Sequence, residues 1–302
     1  MRVQTNTTMK RVCNRTVIFD ALTVCCEVEN SALFDKIAAL EFGEVMEFYD
    51  FNLTRIDGRY FKNIYTIRYN EFGVEKTFGQ LKFSLNNGSQ EANSFENGRP
   101  KAWLTLSNRG LYESDMYYMG FICENLHLNV HNFTSVDLAL DTPFDVSRAL
   151  YRLYRNKDVT TILNGKRITN RDEDRPEISR TLSGSLNKDK YQTIYVKQRN
   201  AIYDKTKGVS LKTYDKLAEI RNSSDKEYIL DYYANPRTLY RTEVHLNNDE
   251  IKAYLTKRGI DLNPYSMDWS VIDDMFFYHL NSVIRFERGN EKIKWEDLLG
   301  KR

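Results

Sequence analysis

Apolar and polar residues alternate with a period of two from Thr16 to Val28, which predicts a strand whose even face carries Ile18, Asp20, Leu22, Val24, Cys26 and Val28. Asp20 is thereby a carboxylate set into an apolar face. Left unpaired, such a group costs several kcal/mol, so it either has a hydrogen-bond partner or lines a site. Asn30 or Ser31 then caps a short amphipathic helix running to Ala38. Alternation returns at Glu44 to Leu53, Tyr60 to Tyr69, Thr77 to Leu85 and Lys101 to Leu106, predicting a helix laid on an antiparallel sheet. The polar stretch Asn86 to Gly98 reads as a surface loop and Gly110 to Leu126 as a second helix.

The pattern begins again at Phe133 to Asp141, with Val136, Leu138 and Leu140 on one face and Ser135, Asp137 and Ala139 on the other. Thr142 reads as an N-cap, Pro143 as a first-turn residue and Asp145 as an acidic N3, so a helix is expected to about Tyr154. Both halves open with a strand bearing an Asp and continue with a helix and strands. That pattern, rather than residue identity, predicts an internal duplication. Asn156 to Lys190 is charged and poor in large apolar residues, and reads as a long loop. Its Lys166, Arg167 and Arg171 are candidate phosphate contacts, although a solvated loop also explains such charge.

Two copies of Tyr-Asp-Lys follow, at Tyr203 and Tyr214, on a predicted hairpin within Tyr191 to Ile220. Val209, Leu211 and Thr213 fall on one face, Ser210, Lys212, Tyr214 and Lys216 on the other. A turn placing Asp204 opposite Val209 brings Arg199, Ala201 and Tyr203 onto the face of Tyr214. The bland alternative is that Tyr is a good strand residue that buries its ring and wets its hydroxyl. Ser224 to Glu227 has the form of a capping box before a helix with Tyr228, Ile229 and Leu230. The strand expected from Thr238 to Leu246 directs Arg241, Glu243 and His245 to one side. Asp249 to Arg258, ending at Gly259, and Asp268 to about Phe286 read as helices. The fold expected is α+β: two duplicated helix-on-antiparallel-sheet halves, residues 1–128 and 129–260, forming a pseudo-symmetric catalytic domain. The second half carries the chemistry, and 261–302 forms a C-terminal helical segment.

Composition narrows the function. With 302 residues, 41% hydrophobic and 28% charged, the chain is long enough for a full core. A net charge of +2 does not advertise nucleic-acid binding, so any such surface requires local segregation of Lys and Arg. The cysteines, Cys13, Cys25, Cys26 and Cys123, have no CxxC spacing, which predicts neither a zinc site nor a disulfide framework and fits a reducing cytoplasm. The N-terminal residues are polar and basic with no signal-like apolar run behind them, and no run approaches the ~18 apolar residues of a membrane span. A soluble, unprocessed protein is expected. No P-loop is present, which excludes ATP-driven unwinding on that motif. His127 and His131 are spaced for metal ligation but lack a His-apolar-His triplet, and an ordinary structural role is expected.

Asp137, Tyr214 with Lys216, and Glu243 with Arg241 and His245 stand as polar groups on otherwise well-patterned strands. Two carboxylates can hold a hard cation, Mg²⁺ or Mn²⁺, while leaving room for a phosphate oxygen. A tyrosine hydroxyl, with a pKa of about 10, needs a cation beside it to act as nucleophile, and Lys216 can serve. Asp141 lies roughly 13 Å along the strand from Asp137 and is expected to begin the next helix instead.

Phe19-Asp20-Ala21-Leu22-Thr23, Ser135-Val136-Asp137-Leu138-Ala139, Tyr214-Asp215-Lys216 with Glu219, and Tyr240-Arg241-Thr242-Glu243-Val244 occur in that order. In this the chain resembles the rolling-circle replication initiators, tyrosine nickases of filamentous phages and of plasmid-borne or transposon-borne elements, of the Rep_trans-like type. The resemblance implies a Tyr that nicks one strand at an origin, stays joined to the 5′ phosphate, frees a 3′ hydroxyl and later rejoins the strand. It implies Tyr214 as nucleophile with Tyr203 as an alternate, Lys216 beside it, and Asp137, Glu243 and in reserve Asp20 as ligands of Mg²⁺ or Mn²⁺. Lys212, Arg241, Lys166, Arg167 and Arg171 are the expected DNA contacts. The partners implied are single-stranded or supercoiled origin DNA, a host helicase and polymerase in a bacterial cytoplasm, and a second copy in a homodimer. The competing readings are a non-catalytic DNA-binding protein on the same fold, a relaxase- or transposase-like strand transferase, and a structural protein whose aromatics only pack.

Overall fold

A computed structural model describes residues 16–71, 73–85, 100–113, 116–168, 177–183, 191–198, 202, 208–223, 226–260 and 269–300. The architecture is α+β, with a large antiparallel sheet. Two compact units divide within strands: one covers Ala21–Val136, the other takes residues 16–20 and the described residues from 137 onward.

In the first unit the chain forms β1 (Ile18–Val28), α1 (Ser31–Ala38), β2 (Val45–Glu47), β3 (Phe51–Ile56), β4 (Phe61–Glu71), β5 (Val74–Leu85), β6 (Lys101–Leu106), α2 (Asn108–Glu113) and α3 (Met116–Asn125). The strands run in the order β1-β6-β5-β4-β3-β2. The even face of β1 is apolar as its alternation requires: Leu22 stands opposite Leu106 and Val24 opposite Leu104, all buried. Asn30 caps α1 by accepting the Leu33 N–H at 3.1 Å. That helix drives Phe34 against Phe83, rings 4.9 Å apart, and the Tyr65 hydroxyl donates to the Ile37 carbonyl at 2.7 Å. Gly79 permits a close approach, since a Cβ there would lie 2.3 Å from the Thr105 carbonyl oxygen. The helix expected from Gly110 to Leu126 comes as α2 and α3; it starts before Gly110 because the Ser107 hydroxyl accepts the Gly110 N–H at 2.8 Å and caps the first turn. The loop expected over Asn86 to Gly98 lies outside the described residues.

β7 (Leu128–Thr142) leads into α4 (Val146–Arg155), and β8 (Val159–Leu163), β9 (Lys166–Arg167) and β10 (Ile178–Ser183) follow. Then come β11 (Tyr191–Lys197), β12 (Ser210–Asp215), α5 (Lys216–Ser223), α6 (Glu227–Tyr232), β13 (Tyr240–Asn247), α7 (Asn248–Arg258), α8 (Trp269–Val283), β14 (Ile284–Arg288), β15 (Glu291–Ile293) and α9 (Trp295–Leu298). In the second unit β10, β11, β12, β13 and the end of β7 lie side by side, while β15, β14, β8 and β9 form a smaller sheet.

Several expectations need correction here. The cap of α4 is Asp145, whose carboxylate accepts the Arg148 N–H at 2.8 Å, rather than Thr142; an Asp three residues on serves as cap more readily than as N3. The stretch from Asn156 is not one loop: Val159, Thr161, Ile162 and Leu163 are buried because β8 pairs with β14. That partner lies far along the chain, Leu163 standing opposite Ile284 and Val159 opposite Arg288, beyond any local average of charge. The same pairing ends the last long helix at Val283, so the C-terminal segment expected to be helical also contains two strands. On the hairpin, Gln198 rather than Asp204 stands opposite Val209, its N–H donating to the Val209 carbonyl at 3.0 Å. Tyr195 therefore faces Lys212 in the register. Tyr203 lies outside the described residues, as does Arg171. α6 begins at Glu227, after Lys226 and with no cap bond from that side chain, while Ser224 of the expected box lies outside the described residues.

Candidate functional site

β12 and β13 pair with Lys212 opposite Glu243 and Tyr214 opposite Arg241. Period-two geometry thus brings the polar faces of both strands to one side, as their alternation predicts. The Tyr214 hydroxyl donates to Glu243 Oε2 at 3.1 Å and accepts from Lys216 Nζ at 3.4 Å. Lys212 Nζ donates to the other Glu243 oxygen at 2.9 Å and lies 4.6 Å from the centre of the Tyr214 ring. Lys216 does not extend the strand. Asp215 accepts the Ala218 N–H at 2.8 Å and starts α5, whose first residue is Lys216. The turn points the lysine back over the tyrosine and also onto Glu219, at 2.7 Å.

Arg241 is the centre of this assembly. Fully buried, it donates to both oxygens of Asp141, Nε to Oδ1 at 2.7 Å and Nη2 to Oδ2 at 2.5 Å, and its third nitrogen Nη1 binds Asp20. Tyr233 donates to Asp141 at 2.8 Å. A planar guanidinium can fix two carboxylates in this way where a lysine could not. Beside it, Asp137 is bound to His245 Nδ1 at 2.5 Å.

Charge buried this deeply shifts proton affinities. Burial pushes the Tyr214 hydroxyl well above its usual range, and the adjacent Glu243 carboxylate adds to this. Burial, followed by the nearby Arg241 cation, lowers Lys216 to about 8. Glu243 is raised, first by burial and then by Asp20 and Asp137, with Lys212 opposing. For Lys212 burial is the largest single influence and works downward, but the charge and hydrogen bond of Glu243 together with Tyr195 and Asp20 outweigh it, and the amine is raised. His245 is raised by its hydrogen bond to Asp137.

The residues anticipated from sequence divide into groups. Tyr214, Lys216, Lys212, Glu243, Arg241 and Asp20 come together, with Asp137 close enough for its charge to act on Glu243. Arg241, expected as a DNA contact, is buried and holds carboxylates instead. Lys166 and Arg167 are exposed on the smaller sheet, where Arg167 reaches Glu287 at 3.4 Å. His131 lies 3.7 Å from Glu27 in the first unit. Asp141 was missed as a site residue because a carboxylate before Thr-Pro resembles a helix start. Its parity with Asp137 on β7 was the available signal.

No family model, curated protein or solved structure matches the chain. Function must be argued from the site.

Among the described residues no three His, Cys, Asp or Glu side chains are already grouped to hold a metal. Oxygen donors of the kind a hard divalent cation takes are present at Glu243, Asp20 and Asp137, and the charges of the last two act on Glu243.

Proposed function

We propose that the chain is a DNA nicking and closing enzyme that uses Tyr214 as nucleophile and starts rolling-circle replication of a phage, plasmid or mobile element. The observation that carries this reading is the Tyr214 hydroxyl held between a carboxylate acceptor, Glu243, and a cationic donor, Lys216. A phenol needs both to attack a phosphodiester: an acceptor for its proton and a cation for the charge that develops. In the proposed step the Tyr214 oxygen forms a bond to phosphorus as its proton passes to Glu243, whose raised affinity suits it to receive one. The P–O3′ bond breaks, the 3′ oxygen takes a proton from Lys216, and the 5′ phosphate stays on the tyrosine. Rejoining is the reverse, with Lys216 as base and Glu243 as acid.

A divalent cation, Mg²⁺ or Mn²⁺, held by Glu243 with Asp20 and Asp137 would polarise the scissile phosphate. Arg241 and Asp141 position Asp20 for that task and touch no substrate. The same reading takes the two units as copies of one design, since β1 leads into α1 as β7 leads into α4.

A covalent complex with a single-stranded or supercoiled origin-bearing DNA, seen on a denaturing gel, tests the proposal. The wild-type protein should form it with Mg²⁺ or Mn²⁺ and lose it with chelator, and Tyr214→Phe should form none. Full adduct from Tyr214→Phe would transfer the role to Tyr203, and no adduct from the wild type despite tight DNA binding would favour a non-catalytic DNA-binding protein.

A further inference from the structure

The helix α4 packs one face and displays another. Val146, Leu150 and Tyr154 are buried, and the Ser147 hydroxyl is 3.0 Å from that of Thr213, on the face of β12 opposite Tyr214. On the opposite side Arg148, Arg152 and Arg155 are exposed. At 3.6 residues per turn, these three guanidinium-bearing positions fall within about 60° of one another around the axis. They cover about 10.5 Å of helix length, roughly the axial rise of three phosphates along one strand of B-DNA.

A solvated face would explain scattered charge, and the helix dipole would explain part of this stripe. Arg152 and Arg155 occupy the last turn, where a cation stabilises the helix. Arg148 does not fit that account. It lies in the first turn, which contains no acidic residue, so its charge opposes the positive end of the dipole. The nearest carboxylate along the chain, Asp145, is occupied as the helix cap. A cation kept where it works against its own helix, in line with two others, points to an external anion.

We propose that the arginine face of α4 binds the phosphate backbone of double-stranded DNA, anchoring the duplex to the helix packed behind the strand that carries Tyr214. The inference deepens the nicking reading and rests on it for the identity of the polymer. Arginine suits the role because its planar fork engages phosphate oxygens in pairs. The contact is to backbone and carries no sequence information of its own.

The test is the salt dependence of binding to a short labelled duplex of arbitrary sequence, followed by anisotropy between about 50 and 200 mM salt. Replacing all three arginines with Gln should weaken binding at least about tenfold at the low-salt end and reduce the slope of log affinity against log salt by about two to three. The Lys triple variant should restore most of that slope. Arg148→Gln alone should reduce the slope by about one while leaving the melting temperature unchanged or slightly higher. That single variant keeps the proposal open to refutation if the triple variant folds poorly.

An unchanged slope in the Gln variants, or failure of Lys to restore it, would overturn the proposal. So would anionic vesicles that compete with duplex as well as DNA does. Covalent adduct on a short single-stranded oligonucleotide should survive in the triple variant, since α4 is not part of the reacting cluster. If the wild type forms no adduct on any DNA yet the slope falls as described, the nicking reading fails and this one stands.

Discussion

In the first unit the polar side chains that go inside are neutral. Among the described residues they are Thr54 and Asn63 with the buried tyrosines Tyr65, Tyr69 and Tyr112, and the Tyr65 hydroxyl is satisfied by a backbone carbonyl. The second unit buries whole charges: Arg241, Lys216, Glu243 and Asp141. Both place helices on antiparallel strands, so the fold alone does not ask for ions inside. Apolar residues of similar volume would stabilise such a core as well or better. The contrast separates what holds a sheet and its helices together from what is retained in spite of stability, and it makes the charged cluster the place to look for chemistry.

The sharpest way to break the comparison is Tyr214→Phe, which removes one oxygen from the second unit. Covalent adduct should fall by at least ~10³-fold while the melting temperature barely moves. A comparable change in the first unit, Tyr65→Phe, should leave adduct formation alone. Next in size is Asp141→Asn, which leaves the buried Arg241 short of a countercharge and should cost about 3 kcal/mol in a denaturant titration. If it costs nothing, the triad around Arg241 is not the internal support described here. In the first unit Gly79→Ala should cost about 2 kcal/mol, because the added methyl group meets the Thr105 carbonyl, yet leave the pH profile of adduct formation intact.

The smallest expected effect is a limb of that profile. Lys216, lowered to about 8, donates only while protonated, so the adduct rate should fall about tenfold per pH unit above that point. Lys216→Met should lose the limb together with most of the rate. Stability should move the opposite way. The folded protein binds this proton less tightly than the unfolded chain, so the cost of charged Lys216 is fully present below about pH 8 and is relieved as pH climbs toward 10.5. On the acid side His279, buried and lowered to about 4, favours unfolding as pH falls from 6.5, because only the unfolded chain then takes up its proton.

Much of the charged cluster was legible because it stands on strands. Parity alone put Tyr214 with Lys212, and Arg241 with Glu243, on common faces, and pairing of β12 with β13 brought those faces together. What parity could not supply was set by chain ends and distant partners. Lys216 reaches Tyr214 from a helix that begins where the strand was expected to continue. Asp141 is recruited by an arginine 100 residues away. The hairpin register was misjudged because Gln198 pairs with Val209, farther along the chain than a tight turn would place it, and β8 stayed hidden because its apolar residues find their partner only near the C-terminus. Local patterning reads faces well and reads neither register nor long-range pairing.

The Arg241 triad also bears on how descendants of this chain would change. Removing any one of Asp20, Asp141 and Arg241 strands a charge in the interior, so a lineage without the proposed reaction would still be held to all three by folding alone. Tyr214 is under no such restraint, since phenylalanine fits its place. In a set of relatives the triad would therefore mark common architecture, and the single hydroxyl would mark which members keep the proposed nucleophile.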